Sequence, residues 1–160
     1  DNDEVIDVLF VDNEKVGILT FNGNFVIINT EDINPIGRAT SGIKAIKLNP
    51  DDYVINSHII KNNDKLLITV SKNGLIKKTS IDEFDVCNRN IKGRRISETK
   101  DNDSIVDFLT LDKESDIIIS ANKNIIKINT NELRLLSRDA IGVKSITLND
   151  NDYILSILQS

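Results

Sequence analysis

The chain has 160 residues, no Met, a single Cys and a formal net charge of −5 at pH 7, so it suits one compact domain and excludes a generally cationic surface. No apolar run approaches the ~20 residues that cross a bilayer, no signal peptide is recognisable, and the lone Cys87 favours a reducing compartment, so we expect a cytoplasmic protein without membrane contact. Because translation normally begins with Met, the sequence indicates a piece of a longer protein that begins at Asp1.

The first third of the chain predicts four short β-strands. Two of them flank Asn22-Gly23, a pair that readily takes the positive φ angles of a type I′ hairpin turn. A third strand follows Gly42, and a fourth follows a turn at Asp51-Asp52. The four stretches are residues 16–21, 25–29, 43–48 and 53–60.

The same arrangement follows twice more along the chain. A second pair of apolar stretches flanks Asn73-Gly74, and a third pair flanks Asn122-Lys123-Asn124, which is a weaker turn signal. No long stretch has helical periodicity, and the short helix-like candidate at residues 131–137 conflicts with the internal repeat. The flanking strands are residues 66–71, 75–79, 117–121 and 125–129.

Internal repetition is the strongest signal in the sequence. Residues recur at a spacing of 100 positions without insertion, and a fainter copy lies between them, at shifts of 51 and then 49 positions. These shifts align Arg38 with Arg89 and Arg138, and Gly42 with Gly93 and Gly142. We therefore predict a single β-repeat domain over residues 1–160, with repeats at about 3–51, 52–102 and 103–151 and the start of a fourth at 152–160. Four strands and about 50 residues per unit suit the blade of a propeller-like fold.

Positive charge recurs at one place in each repeat. Residues 37–49, 86–97 and 134–148, here called basic segments 1, 2 and 3, carry +3, +4 and +2 and leave −14 for the rest of the chain. On blades arranged about an axis, these segments would fall on one rim, which suits a polyanion whose phosphates pair with Lys and Arg. The bland alternative is that any acidic protein has some basic loops. The candidate contact residues are Arg38, Lys44, Lys47, Arg89, Lys92, Arg94, Arg95, Arg138 and Lys144.

The sequence offers no catalytic, metal or cofactor site. His58 lies in an apolar run without a triad partner in a recognisable motif, and Cys87 has no second Cys at a metal-binding spacing. Tyr53 and Tyr153 occupy the same repeat position, so packing accounts for them better than a nucleophile would. The Asp-Asn-Asp clusters recur at a turn and lack the Gly and terminal Glu of a Ca²⁺ loop, and no P-loop is present.

The order and spacing of these motifs resemble a known family. Units of strand, Asn-Gly, strand, Arg, a gap, Gly, strand and Asp-Asp are similar to the C-terminal repeats of bacterial type IIA topoisomerase A subunits, those of DNA gyrase and of topoisomerase IV. Asn22-Gly23-Asn24-Phe25-Val26 and residues 37–46 and 137–146 carry the likeness. One departure concerns the wrapping loop of gyrase, Gln-Arg-Arg-Gly-Gly-Lys/Arg-Gly. Its nearest match, Asn88-Arg89-Asn90-Ile91-Lys92-Gly93, keeps one Arg, the Lys and the last Gly.

The resemblance implies a fold and a function. The fold would be an all-β β-pinwheel, a propeller-like disc whose neighbouring blades exchange strands, and this chain would be an arc of about three four-stranded blades within a larger disc. Its basic rim would bind and bend double-stranded DNA without reading sequence. Cleavage and ATP hydrolysis would lie in the remainder of a type II topoisomerase in the bacterial cytoplasm, associated with the nucleoid. The alternative is a protein-interaction module, or a relative that has lost DNA binding, whose acidic surfaces meet a basic partner.

Overall fold

The computed structural model describes residues 3–100 and 102–160, so Asp1, Asn2 and Asp101 of the predicted domain lie outside the described residues. Within them the fold is built from strands and three short 3-10 helices. The strands are β1 (Lys15–Thr20), β2 (Asn24–Asn29), β3 (Val54–Ile60), β4 (Leu66–Ser71), β5 (Leu75–Ser80), β6 (Arg94–Arg95), β7 (Ile105–Leu111), β8 (Asp116–Ala121), β9 (Ile125–Asn129), β10 (Val143–Lys144) and β11 (Ile154–Gln159). The prediction of an all-β fold is therefore confirmed.

Three antiparallel sheets, here called blades 1, 2 and 3, are each assembled around one hairpin. Their strand orders are β3-β1-β2-β6, β10-β5-β4-β7 and β11-β8-β9. In every blade the hairpin comes from one repeat, whereas its outer neighbours come from the repeat that follows. This exchange of strands is the β-pinwheel arrangement that the resemblance implies. Blade 3 has three strands among the described residues.

The hairpin turns differ from the sequence prediction. Gly23 has a φ of +77°, but Asn22 is not among the positive-φ residues, so the turn is not the predicted type I′. The Gly23 amide donates to the Thr20 carbonyl, and Leu19 pairs with Phe25, which leaves a short connection with a left-handed glycine. The cause is tertiary, because the Asn22 amide donates to the carboxylate of Asp52, 30 residues further along the chain.

The strand predicted at residues 43–48 is also wrong as stated. Only Ile46 forms a β-bridge there, and its partner is Ile91. The equivalent residues of the next two repeats do form strands, β6 and β10, and these pair with the second strand of the preceding hairpin. In the first repeat no preceding hairpin lies among the described residues to offer that pairing. The helix-like candidate at 131–137 is limited to the 3-10 turn Thr130–Glu132.

The core lies between the blades. Strand β4 is buried over most of its length because blade 2 has a neighbour on each face. Leu67 packs with Phe25 and Phe108 toward blade 1, whereas Ile68 packs with Ile119 toward blade 3. Alternate residues of one strand therefore fill two cores, as the two-residue period of a β-strand requires. The blades are thereby stacked side by side, and the loops between their strands lie at the periphery.

Candidate nucleic-acid interface

Basic segments 2 and 3 are held at their ends by the hairpin of the preceding blade. Val86 forms a parallel bridge with Ile27 of β2, and Arg94 then pairs with Phe25 of the same strand. Residues 87–93 form an excursion between these two attachments, and Arg89 and Lys92 lie on it. Segment 3 is attached to β5 in the same way. Leu135 forms a parallel bridge with Lys78, and β10 then pairs with β5. The hairpins thus present the basic excursions at the blade edges.

Consecutive basic segments run side by side. The Lys47 amide donates to the Ile91 carbonyl at 2.8 Å, and the Asn90 amide donates to the Ala45 carbonyl at 2.8 Å, which joins segments 1 and 2. Segments 2 and 3 meet where the Ser97 hydroxyl donates to the Ala140 carbonyl at 3.4 Å, next to a parallel bridge between Glu98 and Ile141. The three segments therefore form one continuous surface, here called the rim.

Six of the nine predicted contact residues form no ion pair among the described residues, whereas Arg94, Arg95 and Arg138 do. Lys44 and Arg89 come from different repeats and line one groove of about 470 Å³ together with Asp32, Asn88 and Asn90. This groove brings two cations and two amide side chains into one place. Most of the nine are exposed and two are half-buried; the exposed ones are Arg38, Lys44, Lys47, Lys92, Arg94, Arg95 and Lys144, and the half-buried ones are Arg89 and Arg138.

The three ion pairs on the rim are local and weak. Arg94 lies 3.5 Å from Asp85, Arg95 lies 2.8 Å from Glu98, and Arg138 lies 3.2 Å from the adjacent Asp139. The side chains of the first two pairs are 42% to 72% exposed, and ion pairs in contact with water contribute about 0–1 kcal/mol. These arginines are therefore available to a phosphate that competes with the carboxylate. The acids still reduce the positive potential of the rim below that of its Lys and Arg alone.

Two lysines of β5 lie beneath the rim and were missed by the sequence reasoning. Lys77 and Lys78 are both buried, on opposite faces of the strand. The Lys78 ammonium donates to Glu114 at 2.6 Å and to the Thr130 carbonyl at 2.9 Å, while the Lys77 ammonium donates only to main-chain carbonyls. The repeat alignment held a usable signal, since a shift of 51 positions places Lys77 on the apolar Val26.

Asp52 and Asp103, which open the second and third repeats, each anchor the hairpin turn of the preceding repeat. The Asp52 carboxylate accepts hydrogen bonds from the Asn22 amide, the Thr20 hydroxyl and the Asn24 side chain. Burial by itself raises the pKa of Asp52, but these donors and the Tyr53 amide bring it below its usual value. Asp103 accepts from the Asn73 amide in the same way. The turn interpretation of the Asp-Asn-Asp clusters therefore agrees with their contacts.

The other residues considered for catalysis or metal binding make contacts typical of structural side chains. His58 Nε2 lies 2.9 Å from the buried Asp107 carboxylate, and the half-buried Cys87 thiol donates to the Asp85 carbonyl at 3.3 Å. Tyr53 stacks on Phe21, with ring centroids 4.9 Å apart. Among residues 3–100 and 102–160, no cluster of three or more His, Cys, Asp or Glu side chains is arranged to hold a metal ion. That part of the chain also has no helix long and apolar enough to cross a membrane.

Comparison with known proteins assigns the family. The family model described as "DNA gyrase C-terminal domain, beta-propeller" matches residues 18–61, 65–112 and 117–160. The chain therefore belongs to the DNA gyrase C-terminal domain family, and the resemblance predicted from the sequence is confirmed. It is 29% identical over 162 residues to the DNA gyrase A protein of Ureaplasma parvum serovar 3, a match that covers 98% of the chain and 19% of that protein.

Further relatives and two solved structures agree with this assignment. Identity to the DNA gyrase A protein of Helicobacter pylori strain J99 is 30% over 155 residues, covering 94% of the chain and 19% of that protein. The fold matches a crystal structure of the C-terminal domain of DNA topoisomerase IV, with a TM-score of 0.88 at 24% identity, over 99% of this chain and 50% of that one. It matches a DNA gyrase A C-terminal domain with a TM-score of 0.82 at 22% identity, over 92% and 51%. The chain thus spans about half of those structures and a fifth of the full relatives.

Proposed function

We propose that this chain binds double-stranded DNA through the phosphate backbone and contributes to bending and wrapping it, as a non-catalytic part of the A chain of a bacterial type IIA topoisomerase. The observation that carries the proposal is the continuity of the rim, because basic segments from successive repeats lie against one another. A surface of this kind would follow a curved duplex and neutralise its phosphates in sequence. The contacts would be to phosphates, so the binding would not read base sequence.

The groove between segments 1 and 2 supplies the most specific support. Lys44 and Arg89 line it from two different repeats, and neither forms an ion pair among the described residues. The two cations outnumber the single carboxylate of Asp32, which lines the same groove, so the groove has an excess of positive charge that attracts an anion. We assign the groove to one phosphate of the duplex, with the Asn88 and Asn90 side chains as further hydrogen-bond donors.

Other parts of the proposal follow from the family. The remainder of the topoisomerase A chain would be the protein partner, and DNA cleavage and ATP hydrolysis would take place outside this chain. The chain itself would need no cofactor, and its setting would be the bacterial cytoplasm, at the nucleoid. We further propose that residues 1–160 act as one repeat domain with units at about 3–51, 52–102, 103–151 and 152–160.

A charge-reversal experiment tests the rim. Lys44→Glu with Arg89→Glu changes the net charge by −4, and so does Lys61→Glu with Lys113→Glu in exposed loops outside the basic segments. Affinity for a labelled duplex of about 40 base pairs is measured for both variants at low salt. We expect the first pair to weaken binding by more than about tenfold and the second pair by a few-fold at most. Equal losses would show a general charge effect and would favour the protein-interaction alternative.

A further inference from the structure

The side chain of Lys77 lies between two basic segments. It is the third residue of β5 and is 2% exposed. Its ammonium donates to the carbonyl oxygens of Ile96 at 3.2 Å, Ser137 at 3.5 Å and Arg138 at 2.5 Å. The first acceptor belongs to segment 2 and the other two belong to segment 3. One buried cation is therefore bonded to the main chain of both segments.

A second group of blade 2 holds the same part of segment 3. The Arg138 amide donates to the Glu83 carboxylate at 2.7 Å, and Glu83 ends the 3-10 turn that follows β5. The residue Arg138 is thus held at its N–H by Glu83 and at its carbonyl by Lys77. Charge-assisted hydrogen bonds of this kind are roughly twice as strong as neutral ones. Blade 2 therefore fixes the main chain from which the Arg138 side chain projects.

The equivalent positions of the other two blades lack this contact. Val26 occupies the position in blade 1, is apolar and is buried. Ile126 occupies it in blade 3, where it is apolar and partly buried. A valine fills the same space at the preceding blade junction, so a cation is not required by the packing of the fold. A buried ammonium also costs more free energy than an apolar side chain of similar size.

We propose that Lys77 is a positioning residue of the rim, whose ammonium fixes the Ser137–Arg138 main chain of segment 3 against Ile96 of segment 2. It thereby sets the spacing between the cationic side chains of the two segments. The consequence for DNA rests on the proposed function, whereas the positioning itself does not. Without the ammonium, three carbonyl oxygens would lose a donor, and the excursion that carries Arg138 would open more often.

Burial lowers the pKa of Lys77 to about 8, against the partly opposing effects of Glu83, Asp139 and Glu98, while Arg138 lowers it further. An opening of segment 3 that exposes the amine to water would restore its ordinary pKa, so a rise in pH does not favour opening through this residue. The positioning by the ammonium is therefore tested at pH 7, below this pKa.

The test is hydrogen exchange of the amides at residues 137–141 in Lys77→Met, with Lys127→Met as the control that removes the same charge from an exposed position of β9. At pH 7 we expect exchange about tenfold faster in Lys77→Met and unchanged in Lys127→Met. Unchanged exchange in Lys77→Met overturns the proposal. If that variant fails to fold, Lys77→Val replaces it, because a buried valine fills the same position in blade 1, and the absence of acceleration there overturns the proposal equally.

DNA affinity of the same variants separates this inference from the proposed function. We expect Lys77→Met to bind the duplex about fivefold more weakly than Lys127→Met at pH 7, since both have lost one charge but only one has a loosened segment 3. Faster exchange with equal affinities would overturn the role of Lys77 in spacing the cations. A wild-type protein that binds no DNA, together with faster exchange in Lys77→Met, would overturn the proposed function and leave the positioning of segment 3 supported.

Discussion

Gly93 lies directly against the main chain of Phe25. A Cβ atom on Gly93 would come within 2.6 Å of the Phe25 carbonyl oxygen, and the residue has a φ of +77°. Gly42 occupies the same repeat position with a φ of +74°, yet a Cβ there would meet nothing within 4 Å. The two glycines therefore share a backbone conformation and differ in whether an exchanged strand packs against a neighbouring hairpin.

The first prediction uses this pair of glycines. Gly93→Ala should lower the free energy of unfolding by about 3 kcal/mol, because the methyl group displaces β6 from β2 as well as straining a positive φ. Gly42→Ala should cost only about 1 kcal/mol, from the φ angle alone. Urea unfolding at pH 7 measures both values. Equal losses would mean that the close approach of segment 2 to blade 1 does not contribute to stability.

The second prediction concerns the anchor of the first hairpin. Asp52→Asn should destabilise the chain by about 1–3 kcal/mol, because a neutral amide cannot accept from all the donors of Thr20, Asn22 and Asn24. Asp51→Asn is the matched control, since the exposed Asp51 has a φ of +65°, which Asn adopts at least as readily. It should shift stability by less than about 0.5 kcal/mol. Thermal unfolding compares the two.

The carboxylate of Asp52 also predicts an acid dependence. Its folded pKa is below the unfolded value, so the stability it contributes is present above the unfolded pKa and is lost as pH falls through the folded pKa. The difference in stability between wild type and Asp52→Asn should therefore shrink as the pH is lowered below about 4. A difference that stays constant down to acid unfolding would contradict this assignment.

The third prediction concerns stability at alkaline pH. The folded pKa of Lys77 is about 8, below the ordinary lysine value of 10.5, so the unfolded chain binds more protons between these values. The free energy of unfolding should therefore rise with pH across that window through this residue. The rise is isolated as the wild-type curve minus the Lys77→Met curve, because other lysines and tyrosines titrate in both proteins. A difference that is flat from pH 7.5 to 10.5 would contradict the buried ammonium.

The fold follows from the sequence where the signals are local or repeated. The hairpins at Asn22-Gly23 and Asn73-Gly74 are marked by turn residues between apolar runs, and the spacing of Gly42, Gly93 and Gly142 gives the repeat. The turn type was wrong because the contact that decides it comes from Asp52, which local propensity does not include. The strand at residues 43–48 was wrong because β6 and β10 depend on a partner hairpin from another repeat.

The sequence predicts the charged residues of the candidate site, but not the tertiary contacts that hold them in place. Segment 2 is visible in the sequence as a run of Arg and Lys without acids. In its local sequence Lys77 resembles any solvent-facing lysine of a strand, and only its alignment with the apolar Val26 indicates burial. The carbonyls that accept its hydrogen bonds lie 19 to 61 residues away. The pairing of Arg94 with Asp85 is likewise a product of the fold, because the two residues lie on either side of the excursion at residues 87–93.

The fourth prediction tests two arginines of the rim that do form ion pairs. Arg94→Glu with Arg95→Glu should weaken duplex binding without unfolding the protein, because both side chains are exposed and β6 pairs with β2 through its main chain. The loss of their weak ion pairs should change stability by less than about 1 kcal/mol. Circular dichroism and duplex affinity are measured together. Unchanged affinity in a folded variant would remove this pair from the contact surface.

The salt dependence of duplex binding tests the central claim most directly. The chain is titrated against a labelled duplex of about 40 base pairs over a series of salt concentrations. If the six contact residues without ion pairs neutralise about five phosphates, with Lys44 and Arg89 sharing one, the logarithm of the association constant should fall linearly with the logarithm of salt concentration, with a slope of about −4.5. A linear plot with that slope would support a phosphate-binding rim. No binding at low salt, or binding that salt does not weaken, would contradict it.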